Sequence, residues 1–161
     1  MITKFGSLFA GHVDFEDMEF DATPVNDKRL SDERLAGVFD KAEAIILRME
    51  ELDYDTFWAA EHHFQYEGYE CIPNLLMMYV HFAHLTKNLN FGCGFNVNLM
   101  WHLLRLAEDY ATADILTKGR VIFGVSRGYH TKEVDTFGVP STETDSDSNR
   151  EVFEEQVEIL M

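Results

Sequence analysis

Cysteine, basic residues and long apolar runs are all scarce in this chain, and each shortage excludes a class of protein. Its two cysteines, Cys71 and Cys93, stand far apart in no metal-binding or redox spacing. A disulfide-stapled scaffold is therefore excluded, and a reduced compartment is implied. Thirteen Lys and Arg against 29 Asp and Glu give a formal charge of −16. Such an acidic chain has no electrostatic means of holding nucleic acid or an anionic membrane surface, so neither is expected as a partner. The longest apolar run, Leu75 to Val80, is far too short for the ~20 residues of a membrane span. Met1 to Gly11 carries one lysine and no apolar core of a signal peptide, so the expected location is cytoplasmic. What the chain does have is 46% hydrophobic residues in a length of 161. That is enough for a core, and residues 1–161 read as a single domain.

Strand and helix patterns alternate four times. Lys4 to Ala10 reads as a first strand, followed by a polar connection from Gly11 to Leu30 that carries Pro24 and six acidic residues. Ser31 or Asp32 can cap a helix whose apolar positions Leu35, Val38, Ala42, Ile45, Ile46, Met49 and Leu52 follow the 3.6 period. Thr56 to Ala60 reads as a short buried strand. Pro73 and Asn74 open a helix bearing Leu75, Leu76, Tyr79, Val80 and Ala83 and ending near Lys87. Asn90 to Val97 reads as a third strand. The next helix runs from His102 to Lys118, with Gly119 following its end and Leu103, Leu106, Tyr110, Ala113 and Leu116 on its buried face. Val121 to Val125 is the fourth strand, Ser126 to Asn149 a polar connection, and Phe153, Val157 and Leu160 belong to a last amphipathic helix. Strands joined by helices of this length imply βαβ units and a parallel sheet. A closed (β/α)8 barrel takes about 250 residues. The chain therefore reads as about half a barrel, the N-terminal portion of a longer protein or a shortened relative of one.

Three segments place chemistry at the carboxyl ends of those strands, where α/β sheets and barrels build their sites. Thr56 to Ala60 runs into Glu61-His62-His63, framed by Trp58 and Phe64. Neighbouring residues of an extended chain point to opposite faces. One histidine should therefore face a pocket as base or donor while the other orients its neighbour, and no metal site is expected from this pair. Gly92-Cys93-Gly94-Phe95-Asn96 puts glycine in a central strand, which marks either close approach of a flat ligand or a barrel-corner kink. Strand four ends in Ser126-Arg127-Gly128, where a guanidinium fork and a flexible backbone suit a phosphate. Arg150, near the start of the last helix, could reach the same anion.

Taken together, Glu61-His62-His63-Phe64, His102-x-x-Arg105-x-Ala107-Glu108-Asp109, Asp114-x-Leu116-x-x-Gly119-Arg120, Phe123-Gly124-Val125-x-Arg127-Gly128 and Phe137-Gly138-Val139 resemble the bacterial luciferase-like flavin monooxygenases. The resemblance implies a parallel (β/α) barrel of TIM type, here about half of one with four βα units. It implies reduced FMN at the carboxyl face and O2 as co-substrate for oxidising a small organic molecule. A flavin reductase would supply the reduced FMN, and like or unlike subunits would assemble into an oligomer.

The same resemblance assigns roles. His62 is the catalytic acid/base group, with Glu61 as its electrostatic partner. A non-prolyl cis peptide falls on Gly94–Phe95, beneath the flavin ring. Arg127 holds the flavin phosphate, Tyr129 lies by the ring through its backbone, and Arg150 is a second phosphate arginine. Two departures stand out: Ser126 occupies the position of luciferase's reactive cysteine, and His102-Leu103 replaces the usual His-Pro. Two alternatives remain open, a deazaflavin-dependent hydride-transfer oxidoreductase of the same fold and a truncated, non-catalytic barrel fragment that binds flavin or a partner.

Overall fold

The hydroxyl of Ser31 accepts a hydrogen bond from the Arg34 amide, and Asp32 and Glu33 sit in the first turn that follows. Both features favour a helix start. The resulting helix α1 (Asp32–Glu51) buries Val38, Ala42, Ile46 and Met49 at helical spacing. The computed structural model describes residues 3–14, 29–128, 130–140 and 145–161. Most of the acidic connection expected between Gly11 and Leu30, and Tyr129, lie outside the described residues.

Strands β1 (Gly6–Phe9), β2 (Thr56–Ala59), β3 (Asn90–Cys93) and β5 (Val121–Ile122) form one parallel sheet in the order β1-β2-β3-β5. The register pairs Phe9 with Ala59 and Ala59 with Cys93. Alternate residues therefore share a face. Phe9, Phe57, Ala59, Phe91 and Cys93 are buried beneath the helices. Helix α2 (Leu75–Leu85), capped by Asn74, covers them with Tyr79 and Phe82. The Phe57 ring meets Tyr79 and Phe82 edge-on at 6.4 and 6.1 Å. The Tyr79 hydroxyl donates to the Gly92 carbonyl (2.7 Å) and accepts from the Ala59 amide (3.0 Å), fixing α2 to two strands at once. Burial of each large aromatic ring contributes roughly 1.5–3 kcal/mol.

The other sheet face carries Leu8, Trp58, Gly92 and Ile122. Trp58 lies flat across Gly92, where an added Cβ would stand 2.2 Å from the indole Cε3. The glycine in this strand is required because the neighbouring tryptophan occupies its side-chain space. Leu8 is 63% exposed, and Phe5, Phe95 and Phe123 are exposed too.

Two expected strands are each divided. The third ends at Cys93 and resumes as β4 (Asn96–Val97); the fourth ends at Ile122 and resumes as β6 (Val125–Ser126). β4 and β6 form a separate two-stranded parallel pair, Asn96 opposite Val125. The division occurs where the chains converge: a Cβ on Gly124 would lie 1.9 Å from the Cys93 carbonyl oxygen. Only glycine fits at position 124, and beyond it the strands re-pair as β4 and β6.

Helix α3 (Leu103–Thr117) buries Leu106, Ala113 and Thr117. Leu116, expected on its buried face, is 59% exposed, because Thr117 takes the inward position in the last turn. Within the expected polar connection after Ser126 the chain forms helix α4 (Thr131–Phe137), too short and too polar for its period to show in the sequence. Helix α5 (Ser146–Leu160) closes the described chain. Among the described residues no helix is long and apolar enough to cross a membrane.

Two outcomes follow from the uncovered sheet face. The isolated chain should self-associate, since exposed apolar side chains beside an open sheet edge invite pairing; light scattering at micromolar concentration would contradict this with a monodisperse monomer. Gly92→Ala should displace Trp58 at a cost of about 1–3 kcal/mol. A shift in tryptophan emission, absent from the same substitution at the uncrowded Gly37, reports it.

Candidate functional site

The end of β2 is organised around the carboxylate of Glu61, which is completely buried. Its Oε2 accepts from the Asn96 side-chain amide (2.6 Å) and the Val97 backbone N–H (2.7 Å). Its Oε1 accepts from the Trp101 indole (2.7 Å) and lies 2.8 Å from His63 Nε2. A carboxylate only accepts, so the His63 proton sits on Nε2. The network continues outward, because Asn96 Oδ1 accepts from the Tyr110 hydroxyl of α3 at 2.6 Å. Glu61 thus joins β2, β4, the turn at Trp101 and α3.

His62 points the other way. Its Nδ1 lies 3.3 Å from Glu133 Oε1 and its Nε2 lies 3.4 Å from Glu70 Oε2. The His130 ring meets it edge-on at 4.7 Å. Glu133, brought in by α4 and fully buried, also accepts from the His63 amide (2.6 Å) and the Gln65 side chain (3.2 Å). Burial by itself would push the Glu133 carboxyl up. The hydrogen bonds from His62, the His63 amide and Gln65 outweigh that and hold it below the usual carboxylate range.

Glu61, His62, Glu70 and Glu133 wall a cavity of about 270 Å3, lined also by Leu8, Gly94, Phe95, Ser126 and Gly128. It lies at the carboxyl ends of the strands. Larger cavities of about 340 and 410 Å3 lie against α2–α3 and α1 and gather no comparable set of titratable groups. The peptide Gly94–Phe95 is cis and forms part of the cavity wall. Gly128, with φ +75°, turns the chain so tightly that an added Cβ would meet Val97 Cγ1 at 2.7 Å. Arg127 stands between two residues of the wall, and its buried Nη1 has no hydrogen-bond partner among the described residues. A buried guanidinium nitrogen without a partner fits an anionic ligand such as a phosphate.

The sequence-designated residues therefore divide. Glu61, His62, Gly94 and Phe95 line one cavity, with Arg127 flanked by two lining residues. Tyr129 lies outside the described residues. Arg150 is exposed on α5 and contributes nothing to the cavity wall. The pairing within the triplet differs from the expected one. Glu61 partners His63, not His62, because residues two apart share a side of an extended segment while the intervening one faces away. The carboxylates serving His62 are Glu133 and Glu70, which the sequence reasoning missed. Glu133 sits in the unrecognised α4 and Glu70 in a loop, and no periodicity marks either.

Arg120 of the Asp114-x-Leu116-x-x-Gly119-Arg120 run has a structural task at the opposite end of the strands. It donates to the Ala83, Leu89 and Thr117 carbonyls and the Thr86 hydroxyl, and its guanidinium lies over Phe91.

A parallel half-barrel with its titratable groups and glycine-turned arginine at the strand carboxyl ends defines the class: TIM-type (β/α) barrels. Residues 20–161 match the sequence profile of luciferase-like monooxygenases, and the chain belongs to that family. It is 35% identical over 97 residues to the alkanal monooxygenase alpha chain of Aliivibrio fischeri, covering 60% of this chain and 27% of that one. It is 31% identical over 80 residues to the oxygenase component of the flavin-dependent trigonelline monooxygenase of Acinetobacter baylyi, covering 50% and 22%. Among solved structures it resembles the oxygenating constituent of 3,6-diketocamphane monooxygenase from Pseudomonas putida, determined with FMN. There the TM-score is 0.76 at 18% identity, covering 99% of this chain and 38% of that one. Long-chain alkane monooxygenase is similar at TM-score 0.70 and 17% identity, with 99% and 39% covered. The chain thus spans less than a third of the length of these two curated relatives.

Glu61→Gln turns one accepting oxygen into a donor that faces donors. It should cost about 1–3 kcal/mol, the penalty for buried polar groups left unmatched. Urea midpoints at fixed protein concentration measure this, and the same substitution at exposed Glu154 should stay within about 0.5 kcal/mol.

Proposed function

We propose that this chain is the N-terminal half of a flavin-dependent monooxygenase that uses reduced FMN and O2 to oxidise a small organic molecule. The observation that carries the reading is the cavity at the strand carboxyl ends, whose wall joins His62, the cis Gly94–Phe95 peptide, Ser126 and Gly128, with Arg127 between the last two and its buried Nη1 without a hydrogen-bond partner among the described residues. Membership of the family and the flavin named for one relative support it. Arg127 and the tight turn at Gly128 would hold the FMN phosphate. Gly94 and Phe95 would face the ring, and Tyr129 is proposed to lie by it through its backbone.

Reduced FMN, when bound, would supply two electrons to O2, so that one oxygen passes to the substrate and the other leaves as water. The chain's own residues bind, orient and move protons. His62, held at Nδ1 by Glu133, presents Nε2 to the cavity, where it can give or take a proton. Glu61 holds His63 and β4 in place and so fixes the direction in which His62 points. Phe95 and Leu8 add an apolar wall, which suits a substrate of low polarity. A flavin reductase is the proposed source of reduced FMN, and an oligomer is the proposed assembly.

A second reading, flavin binding without turnover, draws on the uncovered sheet face, which leaves the cavity open on the side where the rest of a barrel would stand. The two are separated by titrating FMN against the chain while recording O2 uptake. In an active protein His62→Ala should leave flavin affinity nearly unchanged and lower turnover about 10²–10⁴-fold. Arg127→Ala should weaken flavin binding about tenfold or more through loss of a charge-assisted contact. Equal loss of binding in both variants would make His62 a structural residue. Binding without O2 uptake in the unaltered chain would select the second reading.

A further inference from the structure

Three side chains, His62 among them, converge in a way that proton chemistry does not require. Glu70 Oε2 lies 3.4 Å from His62 Nε2 and 3.3 Å from His130 Nε2, and the three ligand atoms all fall within 4.8 Å of one another. At Zn–N and Zn–O bond lengths of about 2.0–2.1 Å, the edges of a tetrahedron are roughly 3.3–3.4 Å. Both measured edges have that length. Two histidines and one carboxylate are also a donor set that holds a divalent transition ion while leaving a coordination position open. Two of the three ligands, His62 and Glu70, line the cavity, so that open position faces a space of about 270 Å3.

The surroundings are arranged in the same sense. Glu133 Oε1 engages His62 at Nδ1, which leaves Nε2 aimed at the convergence point. Metal-binding histidines are held in this way by an outer carboxylate. Glu133 itself is fully buried, lines the cavity and keeps Oε2 without a hydrogen-bond partner among the described residues. Glu70 and Glu133 make the local field negative, as does the net charge of −16 for the whole chain.

We infer that His62, Glu70 and His130 form a binding site for one divalent transition ion of the Zn2+ type. The adjacency of His62 and His63 argued against a metal in the sequence, but the site takes only His62 from that pair and recruits the others from the loop after β2 and the start of α4. The binding claim stands apart from the flavin reading; its consequence rests on it. An ion at this site occupies the lone pair of His62 Nε2, the atom through which a proton would pass, and so silences turnover until a chelator removes it.

The test is titration of the metal-free full chain with Co2+, followed by displacement with Zn2+. One equivalent per chain should produce the intense visible absorption of tetrahedral Co2+, and Zn2+ should abolish it. Glu70→Gln and His130→Ala should each weaken Zn2+ about 100-fold or more, while Glu133→Gln weakens it about 10–100-fold. Both Glu70 and His130 are partly exposed, so circular dichroism of their variants should match the parent. The inference is overturned if the chain gives no tetrahedral spectrum, or if Zn2+ affinity survives both ligand substitutions. Loss of O2 uptake on His62→Ala with Co2+ binding retained would also overturn it, while leaving the flavin reading intact.

Discussion

The buried carboxylate of Glu61 is the interaction on which the rest of the carboxyl face depends. Four donors converge on two oxygens, from the segment after β2, from β4 and from the turn at Trp101, and Tyr110 of α3 is tied in by donating to Asn96. A charge taken out of water is tolerated only where hydrogen bonds replace its hydration. Every donor is therefore obliged to stay. The consequence is directional: with Glu61 and His63 committed to one side, the extended chain turns His62 toward the cavity.

The two ends of the strands are held by different chemistry. At the amino ends, Arg120 gathers four acceptors from α2, β3's approach and α3. Glu50 meanwhile accepts from the backbone amides of Lys87, Asn88 and Leu89. These contacts knit backbone and leave nothing free for a ligand. At the carboxyl ends, by contrast, Arg127 Nη1 and Glu133 Oε2 are buried without partners among the described residues. Barrel proteins divide labour in this way, stability at the bottom and chemistry at the top.

The inner sheet face shows what half a barrel costs. Trp58 lies over Gly92 and next to Gly6, filling space that facing strands would otherwise occupy. Leu8, Phe95 and Phe123 remain exposed beyond its reach. One tryptophan covers the centre of a four-stranded sheet but not its margins, so the apolar surface persists at the rim where the cavity opens.

Much of this was legible in the sequence because it is local. The 3.6-residue period, with Ser31 or Asp32 as a cap and Pro73 as an opening residue, marked α1 and α2, and the Glu61-His62-His63 triplet after an apolar run marked the carboxyl face. Opposed directions for neighbouring histidines followed from strand geometry alone. What the tertiary structure decided is everything set by contacts between distant segments. The break between β3 and β4 falls where Gly124 meets Cys93, 31 positions apart in the numbering, and no short window along the chain contains both. The choice of Glu133 and Glu70 as partners of His62 depends on where α4 packs and on where the loop after β2 returns. Periodicity reports a residue's own element; it carries no information about which side chain arrives from across the fold, since that depends on how the strands pair and where each loop returns.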